Sequence, residues 1–161
     1  MGSIYQINVK PHRSKERGIP KRAVETVDVA LEGLVGDYNV YRTEKKQRDL
    51  NNAVMLLPLE TIEQLHSERF PIAPGHLGEN FTTRGIEYEE FRVGNIYVVG
   101  HATIEITEPC QPCTSLQILP YVGPDNITEF MRTLVDRRGW YAKVLIEGTV
   151  RKGENIDVLV P

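Results

Sequence analysis

The chain has 161 residues, of which 40% are hydrophobic and 25% are charged, and its formal net charge at pH 7 is −3. This length suits one domain, residues 1–161, with a sizeable core. A nucleic-acid-binding protein would be broadly basic, and no apolar run approaches the ~20 residues of a membrane helix, so we expect neither partner. The start, MGSIYQINVK, lacks the apolar segment of a signal peptide, and we expect a cytoplasmic protein.

Short β-type runs dominate the chain. They are rich in Val, Ile and Tyr and are separated by glycine-containing turns. Several alternate, as do Val27, Val29 and Leu31, with the period of half-buried antiparallel strands. The predicted strands are residues 3–9, 24–31, 52–57, 96–100, 102–107, 142–148 and 155–160. Their regular spacing favours a β-barrel.

Two segments have the pattern of helices. Residues 58–70 begin with Pro58 at a first helical position and repeat apolar residues at helical spacing. Residues 124–139 carry a longer apolar stripe, which includes Val135, and Gly139 follows where a helix commonly ends. The caps expected for the second helix are Asp125 or Asn126. The sequence predicts one β-rich domain with two helices.

Residues 10–22, KPHRSKERGIPKR, are strongly basic in an otherwise acidic chain. They contain six Lys or Arg and one Glu. One interpretation is a solvated loop, and the other is a site for a phosphorylated small molecule. Both interpretations stay open on the sequence.

Three glycine-rich polar stretches stand out, residues 33–38, 74–86 and 137–159. Glycine and Asp or Asn are typical of turns, which is one interpretation of all three. In PGHLGENFTTRGI, Glu79 and Asn80 lie beside glycines that permit close approach of the backbone. This stretch therefore also predicts a pocket for a polar ligand.

The two cysteines of the chain, Cys110 and Cys113, lie in EPCQPCTSL. A reducing compartment makes a structural disulfide unexpected. A zinc site would need two more ligands, and the four histidines show no paired ligand spacing. A redox Cys-x-x-Cys normally opens a helix, whereas no helical pattern begins here until residue 125. Pro109 and Pro112 restrict the loop, which could hold Cys113 in a fixed position.

Taken in order, these segments resemble the MOSC domain family, named for the C-terminal domain of molybdenum-cofactor sulfurases. The matching segments are GLVGD, LLPLETI, PGHLGENFTTRGI, VGN, ITEPCQPCTSL, RRGWYAKVL and GTVRKGEN. The resemblance spans about residues 20–160, and the joint order of the segments is specific. It implies a mixed α/β fold dominated by β structure, a MOSC-type β-barrel with about two peripheral helices.

The resemblance also implies a function. The chain would bind the molybdenum cofactor, molybdopterin, and act as a sulfur carrier or as part of a molybdenum-dependent reductase. Cys113 matches the family's loop cysteine and would be a molybdenum ligand or carry a persulfide, both of which suit a soft thiolate. The implied partners are an electron-transfer protein or a cysteine desulfurase, which would itself hold the pyridoxal phosphate.

Two functions of other classes stay open beside this one. The first is a non-catalytic pterin- or anion-binding module, in which Cys113 only lines the pocket. The second is a structural β-barrel adaptor, which the polar PGHLGENFTT run beside a cysteine disfavours.

Candidate site residues follow from the same segments. Cys113 is the catalytic and metal-binding candidate, and Cys110 is a second catalytic candidate that could resolve or relay sulfur. Asn80 can donate and accept hydrogen bonds, whereas an ionised Glu79 only accepts. Phosphate is best held by Arg and Lys. The cofactor-binding candidates are Asn80, Glu79, Thr82, Lys21, Arg22, Arg84 and Arg138. We expect Cys113 to be accessible and to face the same pocket as Asn80.

Overall fold

A computed structural model describes residues 1–11, 18–38, 47 and 49–161. Residues 12–17 of the basic segment lie outside the described residues. The strands are β1 (Gly2–Val9), β2 (Arg22–Val24), β3 (Thr26–Ala30), β4 (Gly33–Leu34), β5 (Val54–Pro58), β6 (Phe81–Arg84), β7 (Ile96–Val99), β8 (Ala102–Pro109), β9 (Trp140–Ile146), β10 (Gly148–Arg151) and β11 (Asn155–Val160). The helices of the described part are α1 (Leu59–Glu68) and α2 (Gly123–Thr133), and short 3-10 turns span Leu50–Asn52, Tyr88–Glu90 and Thr114–Ile118.

Seven strands form a closed barrel in the order β1-β11-β7-β8-β9-β5-β6, with β6 returning to β1. The β5–β6 pair is parallel and the other neighbours are antiparallel. Strand β2 adds to the edge of β1, and β10, β3 and β4 form a second, three-stranded sheet. The prediction of a β-dominated barrel with two helices is confirmed.

The wall of the barrel separates two hydrophobic cores. Val54 and Leu56 belong to the cluster that fills the barrel interior. Because side chains alternate along a strand, Leu57 points outward, and it belongs to a second cluster with residues of α1 and α2. Met55 also points outward, beside Cys110 and Tyr141. The cysteine loop therefore borders the outer layer rather than the barrel interior.

Helix α2 is shorter than the sequence pattern predicts. It ends at Thr133 instead of near Gly139, and Val135 of the predicted stripe is 55% exposed. Gly139 has φ +123°, and a Cβ there would lie 2.8 Å from the carbonyl oxygen of Leu56. The chain has left the helix to pass directly against β5. The prediction that Asp125 or Asn126 caps the helix was also wrong, because the N-cap residue of α2 is Val122 and no side chain caps its start.

Helix α1 agrees with its prediction, with Pro58 at the N-cap rather than at the first helical position. Neither helix of the described residues is long and apolar enough to cross a membrane.

The sequence prediction lacks β4 and most of β2, and it also lacks two longer strands. Phe81–Arg84, which lies in the stretch predicted as a pocket, forms β6. Gly148–Arg151 forms β10, and the strand predicted over 142–148 ends at Ile146. Both β6 and β10 are four residues long, and β2 and β4 are shorter, so periodicity within them is a weak signal.

Candidate functional site

The candidate site lies where β8 ends and β9 begins. Pro109 pairs with Trp140, and the backbone N–H of Cys110 donates to the carbonyl of Gly139 at 2.8 Å. This pairing holds the cysteine loop against the segment that precedes β9. Arg138, one residue before Gly139, is thereby brought beside the two cysteines.

The two cysteines have different surroundings. Cys113 is exposed, as expected, and its Sγ lies 2.7 Å from the Ser115 hydroxyl. Cys110 is only 6% exposed and packs with Met55 and Tyr141. Burial raises the pKa of the Cys110 thiol, and the nearby Arg138 guanidinium opposes this only in part. At neutral pH, Cys113 is therefore the accessible thiol.

Arg138 is a buried cation at the centre of the site, 6% exposed. Burial alone lowers its pKa, but Cys110, Cys113 and Glu79 raise it, and the net shift is upward. Its Nη1 lies 3.6 Å from the Met55 sulfur, and its Nε has no hydrogen-bond partner within the described part of the chain. The site therefore holds a permanent positive charge with a free donor.

Glu79 is completely buried, and its carboxyl group interacts electrostatically with the Arg138 guanidinium. Its Oε1 accepts from the N–H of Gly75 at 2.6 Å and from the Thr82 hydroxyl at 3.0 Å. Its Oε2 has no partner among the residues described. Burial raises the pKa of Glu79, and these hydrogen bonds and Arg138 oppose the shift incompletely. The carboxyl group therefore keeps its proton to higher pH than an ordinary glutamate.

The Asn80 amide is occupied by the protein itself. Its oxygen accepts from the N–H of Met55 at 3.0 Å, and its nitrogen donates to the Asp37 carboxylate at 2.9 Å and to the carbonyl of Asn8 at 3.3 Å. These contacts join β1, β5 and the turn after β4, and they do not involve the Cys113 loop. A role for Asn80 as a cofactor ligand stays a prediction.

The basic candidates are dispersed. Lys21 is buried against the Asp37 carboxylate at 2.7 Å. Arg22 is exposed on β2, and Arg84 is exposed on β6 with its guanidinium 4.6 Å from the centre of the Tyr5 ring. Arg138 is the basic candidate whose electrostatic neighbours include Cys113.

Sequence analysis missed His76 and Tyr121. His76 Nδ1 lies 2.9 Å from the Tyr121 hydroxyl, and the two rings stack with centroids 5.7 Å apart. Burial raises the pKa of Tyr121, and the charge of Glu79 raises it further. His76 could have been found within PGHLGENFTT, but no sequence signal marks Tyr121. The described residues contain no group of three or more His, Cys, Asp or Glu able to hold a metal ion.

Comparison with known sequences gives one family. A family model described as the MOSC domain matches residues 34–157. The chain is 29% identical over 154 residues to the uncharacterized protein YflK of Bacillus subtilis, a match that covers 89% of this chain and 64% of YflK. It is 34% identical over 86 residues to a protein named reductase from Gibberella moniliformis, covering 53% of this chain and 15% of the reductase. The chain thus spans less than two thirds of the length of these relatives.

Comparison with solved structures gives the same architecture. YiiM from Geobacillus stearothermophilus superimposes with a TM-score of 0.74 at 24% identity, over 99% of this chain and 75% of YiiM. The YUAD protein of Bacillus subtilis superimposes with a TM-score of 0.80 at 17% identity, over 98% of this chain and 96% of YUAD. YiiM from Escherichia coli superimposes with a TM-score of 0.71 at 21% identity, over 100% of this chain and 71% of that YiiM. These similarities show a shared fold.

Proposed function

The chain belongs to the MOSC domain family, and from this we propose that it binds the molybdenum cofactor and acts through Cys113, as a sulfur carrier or as a component of a reductase. The observation that carries the proposal is the difference between the two cysteines. Cys113 is exposed in a short loop, whereas Cys110 is buried and its pKa is raised. A thiol that binds a soft metal or attacks a sulfur atom must be reachable.

Arg138, which is electrostatically coupled to Cys113, favours an anionic cofactor. It offers a buried charge and an Nε donor without a partner among the described residues, and Glu79, which is coupled to the same guanidinium, offers an Oε2 without one. A pterin has both acceptor and donor atoms along its edge, and its phosphate is anionic. When bound, the cofactor would supply a metal centre for atom transfer and electron transfer. The described residues contain no group of three or more His, Cys, Asp or Glu that could hold the metal. In this proposal Cys113 would add one soft ligand to those of the cofactor.

As a sulfur carrier, Cys113 would work with a partner desulfurase. The Cys113 thiolate would attack the outer sulfur of the partner's persulfide. The sulfur–sulfur bond of the partner breaks, a new one forms on Cys113, and the partner cysteine leaves as a thiolate. Arg138 would favour the negative charge present throughout this exchange. Any pyridoxal phosphate would belong to the partner.

The Arg138 Nε, which has no partner in the part of the chain that the structure describes, favours one further candidate, a non-catalytic module that binds a pterin or another anion. In that case Cys113 only lines the site. Cys113→Ser would then leave binding of a pterin phosphate unchanged, whereas Arg138→Met would abolish it.

The test is production of the protein in cells that synthesise the cofactor. Elemental analysis would measure molybdenum, mass spectrometry would measure pterin, and transfer of labelled sulfur would be followed with a cysteine desulfurase. We expect Cys113→Ser to lose metal or sulfur uptake, because a hydroxyl is a harder ligand and cannot form a persulfide. Cys110→Ser is the matched control and should keep partial activity. Equal loss in both variants, or none in Cys113→Ser, would contradict the assignment.

A further inference from the structure

Ser115 lies in the turn that directly follows Cys113. Cys113 has an extended backbone, with φ −141° and ψ 160°, and the 3-10 turn Thr114–Ile118 begins at the next residue. The N–H of Leu116 donates to the carbonyl of Cys113 at 3.3 Å, so the chain folds back towards Cys113 at this point. This geometry brings the Ser115 hydroxyl to 2.7 Å from the Cys113 Sγ.

Two buried leucines fix this turn in place. Leu116 and Leu119 are 0% and 1% exposed, and both belong to the outer hydrophobic cluster that contains residues of α1 and α2. The N–H of Leu119 donates to the carbonyl of Leu116 at 3.1 Å. Cys113 and Ser115, by contrast, are exposed. The sulfur and the hydroxyl are therefore held together at the surface by a backbone that is anchored in the core.

The protonation state of Cys113 decides the direction of the hydrogen bond with Ser115. Either atom can donate while Cys113 is a thiol, whereas a thiolate has no proton and can only accept. The Ser115 hydroxyl has no other acceptor among the described residues. It can therefore donate to the thiolate, and a hydrogen bond to the charged form of a group favours that form.

We propose that Ser115 is a positioning residue for the Cys113 sulfur, and that its hydroxyl stabilises the thiolate. The role rests on the proposed function, and it belongs to the sulfur-carrier step. When a persulfide on Cys113 gives up its outer sulfur, the thiolate of an acceptor attacks that sulfur, and the sulfur–sulfur bond of the persulfide breaks. The acceptor becomes the persulfide. The electron pair of the broken bond goes to Cys113 Sγ, which becomes a thiolate and accepts the hydrogen bond from Ser115.

Ser115 shifts the balance between loading and release towards release. In the loading step the Cys113 thiolate attacks and loses its charge, so the hydrogen bond from Ser115 becomes weaker. In the release step Cys113 regains the charge, and the hydrogen bond becomes stronger. The hydroxyl thus lowers the free energy of the unloaded protein relative to the loaded one. This is the balance that suits a carrier, which must pass its sulfur on to an acceptor.

The test is a thiol–disulfide equilibrium that needs neither molybdenum nor a desulfurase. The full chain with Cys110→Ser, which retains one thiol, is equilibrated with 2-mercaptoethanol and its disulfide in an alkaline buffer that ionises ordinary thiols. Mass spectrometry of the intact protein measures the ratio of mixed disulfide to free thiol at Cys113. We expect Ser115→Ala in this background to raise the ratio about threefold to tenfold, because hydrogen bonds to charged groups are the stronger ones. Ser115→Thr keeps a hydroxyl and should restore the ratio.

Thr114→Val is the matched control, because it removes a hydroxyl from the adjacent exposed position of the same turn. It should leave the ratio unchanged. Ser115→Gly is a second variant without the hydroxyl, and it should shift the ratio in the same direction as Ser115→Ala. An unchanged ratio in Ser115→Ala, an equal rise in Thr114→Val, or no restoration by Ser115→Thr would each overturn the proposal. Failure to take up molybdenum or sulfur would not alter this equilibrium, so it would overturn only the proposed function.

Discussion

The Lys21 ammonium lies 2.7 Å from the Asp37 carboxylate, and the two side chains are only 5% and 4% exposed. The same carboxylate accepts hydrogen bonds from the backbone N–H of Lys10 and from the Asn80 amide. Asp37 thus connects the residue that follows β1, the segment before β2 and the turn before β6. The ammonium of Lys21 is already paired, so binding of a phosphate there would have to compete with Asp37.

Lys21→Ala is expected to destabilise the protein. It would leave the Asp37 carboxylate buried without its counter-ion, which typically costs about 3–5 kcal/mol. Arg22→Ala is the control, because Arg22, the next residue in the chain, is exposed in β2. Substitutions at the surface usually change the free energy of unfolding by no more than about 0.5 kcal/mol. Denaturant unfolding measures both. A phosphate-binding role for Lys21 would gain support only if Lys21→Ala unfolds like the wild type and loses pterin phosphate at low salt.

Asn80→Ala is expected to lower the free energy of unfolding as well as any ligand binding. The N–H of Met55 and the carbonyl of Asn8 would lose a buried partner, and each unsatisfied buried group costs about 1–3 kcal/mol. Thr83→Val is a control on β6, the strand that Asn80 directly precedes, because the buried Thr83 hydroxyl has no partner in the described structure. Its removal should be neutral or stabilising. If Asn80→Ala loses cofactor at unchanged stability, Asn80 is a ligand and its internal hydrogen bonds are dispensable.

Cys113 is expected to react with iodoacetamide much faster than Cys110 in the native protein. Cys113 is exposed, whereas Cys110 is 6% exposed and burial raises its pKa. Modification of Cys110 should therefore need either unfolding of the protein or a higher pH than the modification of an ordinary thiol needs. Mass spectrometry of Cys110→Ser and Cys113→Ser, each with one thiol, gives the two rates separately. Faster labelling of the protein that retains only Cys110 would reverse the assignment.

The cysteine loop and Arg138 could be predicted because both lie within local motifs that the sequence shows directly. The strand before the loop has an alternating pattern, and Arg138 belongs to RRGWYAKVL. The contact between His76 and Tyr121 could not be predicted. It joins residues 45 positions apart, and Tyr121 follows a 3-10 turn that lacks any periodic pattern.

The pocket predicted from PGHLGENFTT shows a different limit. Its polar residues suggest ligand contacts. The side chains of Asn80 and Thr82 are instead buried, and they hydrogen-bond to β5 and β1 respectively. A sequence shows which side chains can donate or accept hydrogen bonds, but it does not show how many of these groups are already bonded to other parts of the protein. Glu79 Oε2 has no hydrogen-bond partner among the described residues, and this difference from Asn80 and Thr82 is visible only in three dimensions.

The stability of the protein is expected to depend on pH through Glu79. Because burial raises the pKa of Glu79 above its ordinary value of 4.5, the folded state binds more protons than the unfolded state between these two pKa values. The resulting stabilisation is fully present below about pH 4.5 and is lost as the pH rises through the folded-state pKa, with a slope of at most about 1.4 kcal/mol per pH unit.

Glu79→Gln cannot titrate, so the wild type should lose stability relative to this variant as the pH rises. Denaturant unfolding of both proteins at a series of pH values measures the difference, and the comparison cancels the titration of His76, whose pKa burial lowers. A wild type that instead gains stability relative to Glu79→Gln with rising pH would mean that Arg138 and the hydrogen bonds from Gly75 and Thr82 outweigh burial, and that Glu79 is ionised in the folded protein.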